Sequence, residues 1–213
     1  VFPNLFRFNY DLTIDVELAR AIHDQAKSEG MSVKMMENPD FRVDYGTIVS
    51  CHMVRPEWDK PIVSISSNRS LSYYSVEVMQ EMMMELGRST AKAIEESGKK
   101  CVLLASNSLS HRHFVTETNP PEDMSKEHIT SHAMHLWDMR MIELMRSGKS
   151  QQIINEMPEF CDQAIAESDG GALTWLLSAM GVPTQPATLH GYGTIIGTGN
   201  AIMEWPCRKW GEQ

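Results

Sequence analysis

The sequence predicts an α/β fold, drawn as a three-layer α/β/α sandwich around a mixed, largely parallel sheet. Three observations predict it. Cys101-Val-Leu-Leu104 is an unbroken apolar run that reads as a strand covered on both faces. It runs into Ser106, Asn107 and Ser108 and then His111 and His113, which sets polar chemistry at the carboxyl edge of a sheet, where open α/β folds hold ligands. A long helical pattern, Ser75 to Ser97, separates this run from an earlier one at Pro61 to Ser66. Strand, helix and strand in that order make a right-handed crossover unit.

The bulk properties agree with one globular domain spanning residues 1–213. Charged residues are 22% and hydrophobic residues 42% of the chain, values that exclude a disordered protein. The net charge of −9 comes without any basic cluster, which argues against nucleic acid or an anionic membrane surface as partner. No run of about 20 apolar residues is present, so no membrane-spanning helix is expected. Cys51, Cys101, Cys161 and Cys207 are widely scattered and read as reduced thiols of a cytoplasmic protein. The 16 methionines fall mostly in helical patterns and read as core filler. The chain opens on VFPNLFRF, apolar and aromatic and without an initiator Met, so a native N-terminal segment is expected to precede it.

Taken in order, Asp15 caps a helix carrying Val16, Leu18, Ala19, Ile22 and Ala26, which Gly30 ends. Met31 to Met36 alternates enough for a strand, broken by Asn38-Pro39. Asp44 and Gly46 are turn formers, and Tyr45 between them is expected on a short polar loop. In the Ser75–Ser97 helix, Met79, Met82, Met83, Leu86, Ala93 and Ile94 share a face, and Gly98 closes it. After a loop with Pro120-Pro121, a helix is predicted over 125–147. There His128, His132 and His135 would share a face, although no carboxylate completes a metal motif. A helix from about Gln151 to Ala166 is expected to break at Met157-Pro158. Glu167 and Asp169 then fall at a junction before a last helix, Ala172 to Met180. The glycines between Gly191 and Gly199 suggest a nucleotide loop, but the strand-before, helix-after context is missing. Two strands joined by a turn fit better.

The candidate chemistry rests on Tyr45, His111, His113 and Glu167, with His190 behind them. Ser108 or Ser110 beside His111 would suggest a nucleophile, but no G-x-S-x-G elbow is present. Two histidines and a carboxylate would make the facial triad of non-haem Fe(II) oxygenases, and spacing alone selects no three residues. The residue pattern reaches an α/β enzyme with a histidine-centred site.

A resemblance reaches further. FPNLFRF, DVELA, FRVDYGT, RPEWDKPIV, VLLASNSLSHRHF, PEDMSKE, WDMRMIELMRSGK, AESDGGALTW and GYGTIIGTGNAIMEW occur in register over Val1 to about Trp205. In these motifs the chain resembles the class III extradiol ring-cleaving dioxygenases. The resemblance implies an Fe(II) enzyme that opens the ring of 2-aminophenol or a related catechol with O2, giving a muconic semialdehyde-type product. It implies that His111 in SNSLSH is the acid–base histidine and that Tyr45 in VDYGT bonds substrate or intermediate. Glu167 in AESDGGALTW becomes the carboxylate ligand of the metal, and His113 a substrate-pocket residue. The same likeness implies a hetero-oligomer with a related subunit. The family's two iron-binding histidines are expected upstream of the stretch matching Val1. The alternative is a non-catalytic structural subunit, or an inactive fragment of such an enzyme.

Overall fold

The computed structural model describes residues 11–38, 40–66, 74–112 and 128–206. It divides into two compact units. The first takes the described residues of Val1–Ser66 together with Ser89–Ser106, and the second those of Ser67–Arg88 and Asn107–Gln213. The helices are α1 (Val16–Ser28), α2 (Tyr45–Val54), α3 (Val76–Ser97), α4 (His132–Arg146), α5 (Ser150–Ala164) and α6 (Gly171–Ala179). A single turn of 3-10 helix, Glu167–Gly170, joins α5 to α6. Strands β1 (Thr188–Ile195) and β2 (Thr198–Glu204) pair antiparallel. Among the described residues no helix is long and apolar enough to cross a membrane.

In the first unit Asp15 caps α1 as its sequence position predicts, its Oδ1 accepting from the Leu18 amide at 3.0 Å. Lys99 Nζ donates to Asp15 Oδ2 at 2.6 Å, and that hydrogen bond holds the Asp15 carboxyl below the usual carboxylate range. Leu18 and Ile22 of α1 pack on Ala93 and Ile94 of α3, with Val63, Ile65 and Leu103 laid against them. Ile65 and Leu103 lie between exposed neighbours, as an extended backbone with one buried face requires.

The expected strands at 31–36, 61–66 and 101–104 form no ladder among the described residues. Segment 61–66 makes one parallel bridge, Ile14 to Ile62. Cys101 to Leu104 is not covered on both faces. Cys101 is exposed, Val102 is 75% exposed, and Leu103 alone of the four joins the core cluster. A four-residue apolar run reports that one face is buried; what lies across the other face is a tertiary matter. The described chain is thus α/β with one antiparallel pair, and the parallel sheet is not formed among these residues.

The second unit holds the larger core. Met141, Leu144 and Met145 of α4 meet Ile153, Met157 and Phe160 of α5, and Leu173 and Leu177 of α6 close over them. Two of the expected helix boundaries move. Helix α4 starts at His132, capped by the Ser131 side chain, so His128 precedes the helix and the three histidines share no helical face. Helix α5 runs through Pro158 without a break. Proline removes the amide that would bond the Ile154 carbonyl. The Gln80 side chain of α3 donates to that carbonyl instead, at 3.3 Å. The hairpin turns at Ile196-Gly197, both at positive φ (49° and 84°), the geometry of a two-residue primed turn. This agrees with the strand-pair reading of the glycine-rich tail.

Candidate active site

The candidate site lies around residues 108–111, at the end of the stretch that suggested it. This segment is gripped from two sides within the second unit. On one side Glu167 N donates to the Leu109 carbonyl at 3.2 Å, and His111 N donates to the Ile165 carbonyl at 3.0 Å. On the other, Leu109 N donates to the Gly199 carbonyl at 2.8 Å, and Gly199 N returns to Ser110 O at 3.0 Å. Ser110 bridges Ala166 and His111 bridges Thr198, both antiparallel. An apolar side chain, Leu109, is sunk in the core between polar neighbours and anchors the segment.

Glu167 begins the turn after α5. The backbone there is unusual: Ile165, Ser168 and Asp169 all take positive φ near 50°, a region that few non-glycine residues adopt. The turn brings the Glu167 carboxylate back to the Ser108 amide, which donates to its Oε2. The same oxygen lies 3.8 Å from His111 Nδ1, with the two side chains 29% and 30% exposed. That separation exceeds a hydrogen bond and is within ion-pair reach of a protonated imidazole. An imidazole and a carboxylate, adjacent and each partly open, suit a site where one group moves a proton and the other ligates.

Tyr45 is not on a loop. It is the first residue of α2 in the first unit, and 61% exposed. Asp44 is the reason, since its carboxylate accepts from both the amide and the hydroxyl of Thr47 and so starts a helix where turn formers suggested a loop. His113 lies outside the described residues. His190 is the bulged residue of β1 and pairs with Glu204 at 2.7 Å, away from residues 108–111 in the strand register. Among the described residues no three His, Cys, Asp or Glu side chains gather as a metal site.

One residue beside the site went unread in the sequence. Asp138 of α4 is completely buried, and Ser110 donates to it twice, from its amide at 2.8 Å and its hydroxyl at 2.9 Å. The only signal in the chain is an acid placed among Met134, Trp137, Met141 and Ile142.

A family model described as the catalytic LigB subunit of aromatic ring-opening dioxygenase matches residues 3–201. The chain belongs to this family. It is 53% identical over 211 residues to the 2-aminophenol 1,6-dioxygenase beta subunit of a Pseudomonas species, covering 99% of this chain and 69% of the relative. A 2-aminophenol 1,6-dioxygenase alpha subunit, also from a Pseudomonas species, is 28% identical over 197 residues, 92% of this chain and 69% of its own length. The 3,4-dihydroxyphenylacetate 2,3-dioxygenase of Escherichia coli is 27% identical over 180 residues, 84% and 62% of the two chains. This ring-cleaving dioxygenase chain therefore carries its His111–Glu167 pair in a family whose reaction is the opening of aromatic rings.

Proposed function

We propose that the chain is the catalytic subunit of an Fe(II) extradiol dioxygenase acting on 2-aminophenol or a related catechol, assembled with a related subunit in the cytoplasm. The observation that carries this reading is the 53% identity, over nearly the whole chain, to a beta subunit acting on 2-aminophenol. The likeness to the alpha subunit supports a hetero-oligomer, and the unbridged thiols of Cys51 and Cys101 suit a reducing compartment. The chain acts as one catalytic domain. Its extended segments 61–66 and 101–106 belong to the largely parallel sheet of an α/β/α sandwich, a reading supported by the parallel bridge at Ile62.

Fe(II) in such enzymes takes two histidines and one carboxylate and keeps positions open for ligands. Glu167 fits the carboxylate place, while the described residues do not complete the set. What this chain's own groups do is acid–base and electrostatic work. The neutral His111 imidazole accepts the proton of the substrate hydroxyl and later returns it. The Tyr45 hydroxyl donates to oxygen as negative charge grows there. His113 lines the substrate pocket. The carbon–carbon bond next to the hydroxyl-bearing carbon opens, and both atoms of O2 end in the semialdehyde acid.

The test is O2 uptake by the full-length subunit with its partner and added Fe(II), on 2-aminophenol, catechol and 3,4-dihydroxyphenylacetate. Uptake on 2-aminophenol with a new semialdehyde absorbance is expected, and no uptake on any of the three overturns the reading. Replacement His111→Ala is expected to retain iron and lose about 10²–10⁴-fold in kcat. Near-normal turnover would remove the acid–base role.

A further inference from the structure

We propose that Asp138 is a positioning residue of this site: by holding Ser110 it sets the aim of the adjacent His111 toward Glu167. The inference rests on the dioxygenase reading only for its catalytic consequence.

Three parts of the second unit converge on this carboxylate. Its Oδ1 accepts from Ser110 N at 2.8 Å. Its Oδ2 accepts from Ser110 Oγ at 2.9 Å and from Tyr192 Oη of β1 at 2.8 Å. Gly199 of β2 leaves the room, because a Cβ built there would stand 1.8 Å from Oδ2 and 2.8 Å from Tyr192 Oη. The same glycine is hydrogen-bonded to Leu109 and Ser110 through its backbone. The local design therefore admits a carboxylate, each of whose oxygens accepts from Ser110 of the 108–111 segment, with Tyr192 sharing Oδ2.

Energetics make a purely structural role the weaker explanation. A buried carboxylate is poor cement: replacing buried charges by apolar groups is often neutral or stabilising. Burial pushes the Asp138 carboxyl above its usual range, against hydrogen bonds from Tyr192 and Ser110 that lower it. The neighbouring Tyr192 hydroxyl is likewise pushed well above its ordinary range, by burial first and then by this carboxylate. What the arrangement yields is geometry. Two donors of one residue, held by both oxygens of one carboxylate, fix the Ser110 amide and its side-chain rotamer together. His111 is the next residue, and Glu167 is bonded to the same segment through Ser108 N and Leu109 O. Tyr192 extends the arrangement outward, its hydroxyl lying 3.4 Å from His135 Nδ1.

The experiment compares Asp138→Ala, Asp138→Asn, Ser110→Ala and wild type, as full-length, iron-loaded enzyme with its partner. It reads amide hydrogen exchange by residue beside steady-state kinetics. In Asp138→Ala, exchange at 109–111 is expected to rise about tenfold or more, as the loss of both hydrogen bonds to Ser110 allows, while α5 and α6 keep their protection. The kcat is expected to fall about 10–100-fold, the usual loss when a supporting hydrogen bond behind an active group is removed, with KM within about threefold. Asparagine keeps an acceptor for the Ser110 amide and is expected to restore much of both. Unchanged exchange at 109–111, or α5 loosened as much as 109–111, overturns the proposal. If Asp138→Ala does not fold, Ser110→Ala decides, and no loosening at 109–111 in that variant overturns the proposal as well. Should the wild-type enzyme turn over no aromatic substrate, the dioxygenase reading falls, while the exchange pattern still tests the positioning.

Discussion

Gly87 is an exception to the rule that alanine stabilises helices. In a solvent-facing turn of α3, Gly to Ala would gain about 1 kcal/mol from helix propensity. Here a Cβ would lie 2.6 Å from Ser178 Cβ and 2.7 Å from the Trp175 carbonyl oxygen. The backbone of α6 cannot withdraw as a flexible side chain would, and Ser178 Oγ is already bonded to Met84 O at 2.5 Å. Gly87→Ala is therefore expected to destabilise by about 1–3 kcal/mol, the range for overpacking. A denaturant midpoint equal to or above wild type would show that α6 gives way. The same residue-level logic explains why Asp138 escaped a reading by motif. An isolated acid on an apolar stripe matches no spacing rule, and its partners, Ser110 and Tyr192, come from distant parts of the chain.

At the scale of elements, α5 shows how a local rule is overruled. Pro158 should break the helix, and on its own the segment would break there. The Gln80 amide supplies what proline removes, and Gln80 is itself buried. Gln80→Ala is expected to cost about 1–3 kcal/mol, because it leaves the Ile154 carbonyl without a donor. In a Pro158→Ala background the restored amide at 158 takes over, so the same substitution should cost less. Urea titrations of the four-member cycle should give a coupling of about 0.5–3 kcal/mol. Additive losses would mean that the two residues do not share that carbonyl. Helix α2 makes the converse point. Its residues, YGTIVSCHMV, carry no strong amphipathic pattern, and none of them is buried. The Asp44 cap alone marks its start.

The two units differ in what holds them. The core of the second gathers fully buried side chains from α4, α5 and α6, while that of the first, among the described residues, draws on α1, α3 and three extended residues. Amide exchange is expected to be slowest in α4–α6 and faster in α1, since local stability follows buried apolar contact. Equal protection in both would contradict this. The first unit also carries a pH-sensitive contact. Asp15 has its folded pKa lowered by Lys99, so its contribution is present above the unfolded carboxyl value and lost as pH falls through the lower folded one. Lys99 has its own raised by Asp15, so its share is lost only as pH rises through the higher folded value. Lys99→Met should weaken α1 protection at neutral pH, and the difference from wild type should vanish once the pH has fallen below the lowered folded value of Asp15. A difference that persists in acid would mean that Lys99 acts through packing.

The amino-acid sequence alone determined helices α1, α3 and α6, the cap at Asp15 and the closing glycines, and the strand pair of the tail. These depend on neighbours three or four residues away, or on turn chemistry. His111 and Glu167 are singled out through the family resemblance of their motifs, SNSLSH and AESDGGALTW. Only the tertiary structure decided that these two side chains meet at 3.8 Å, that Pro158 is tolerated and that Asp138 stands behind Ser110. Burial and hydrogen-bond partners depend on residues tens of positions apart, which no local pattern encodes. The stretch Cys101–Leu104 shows the boundary: its apolar run was legible, but which of its faces is covered depends on what the rest of the chain brings against it.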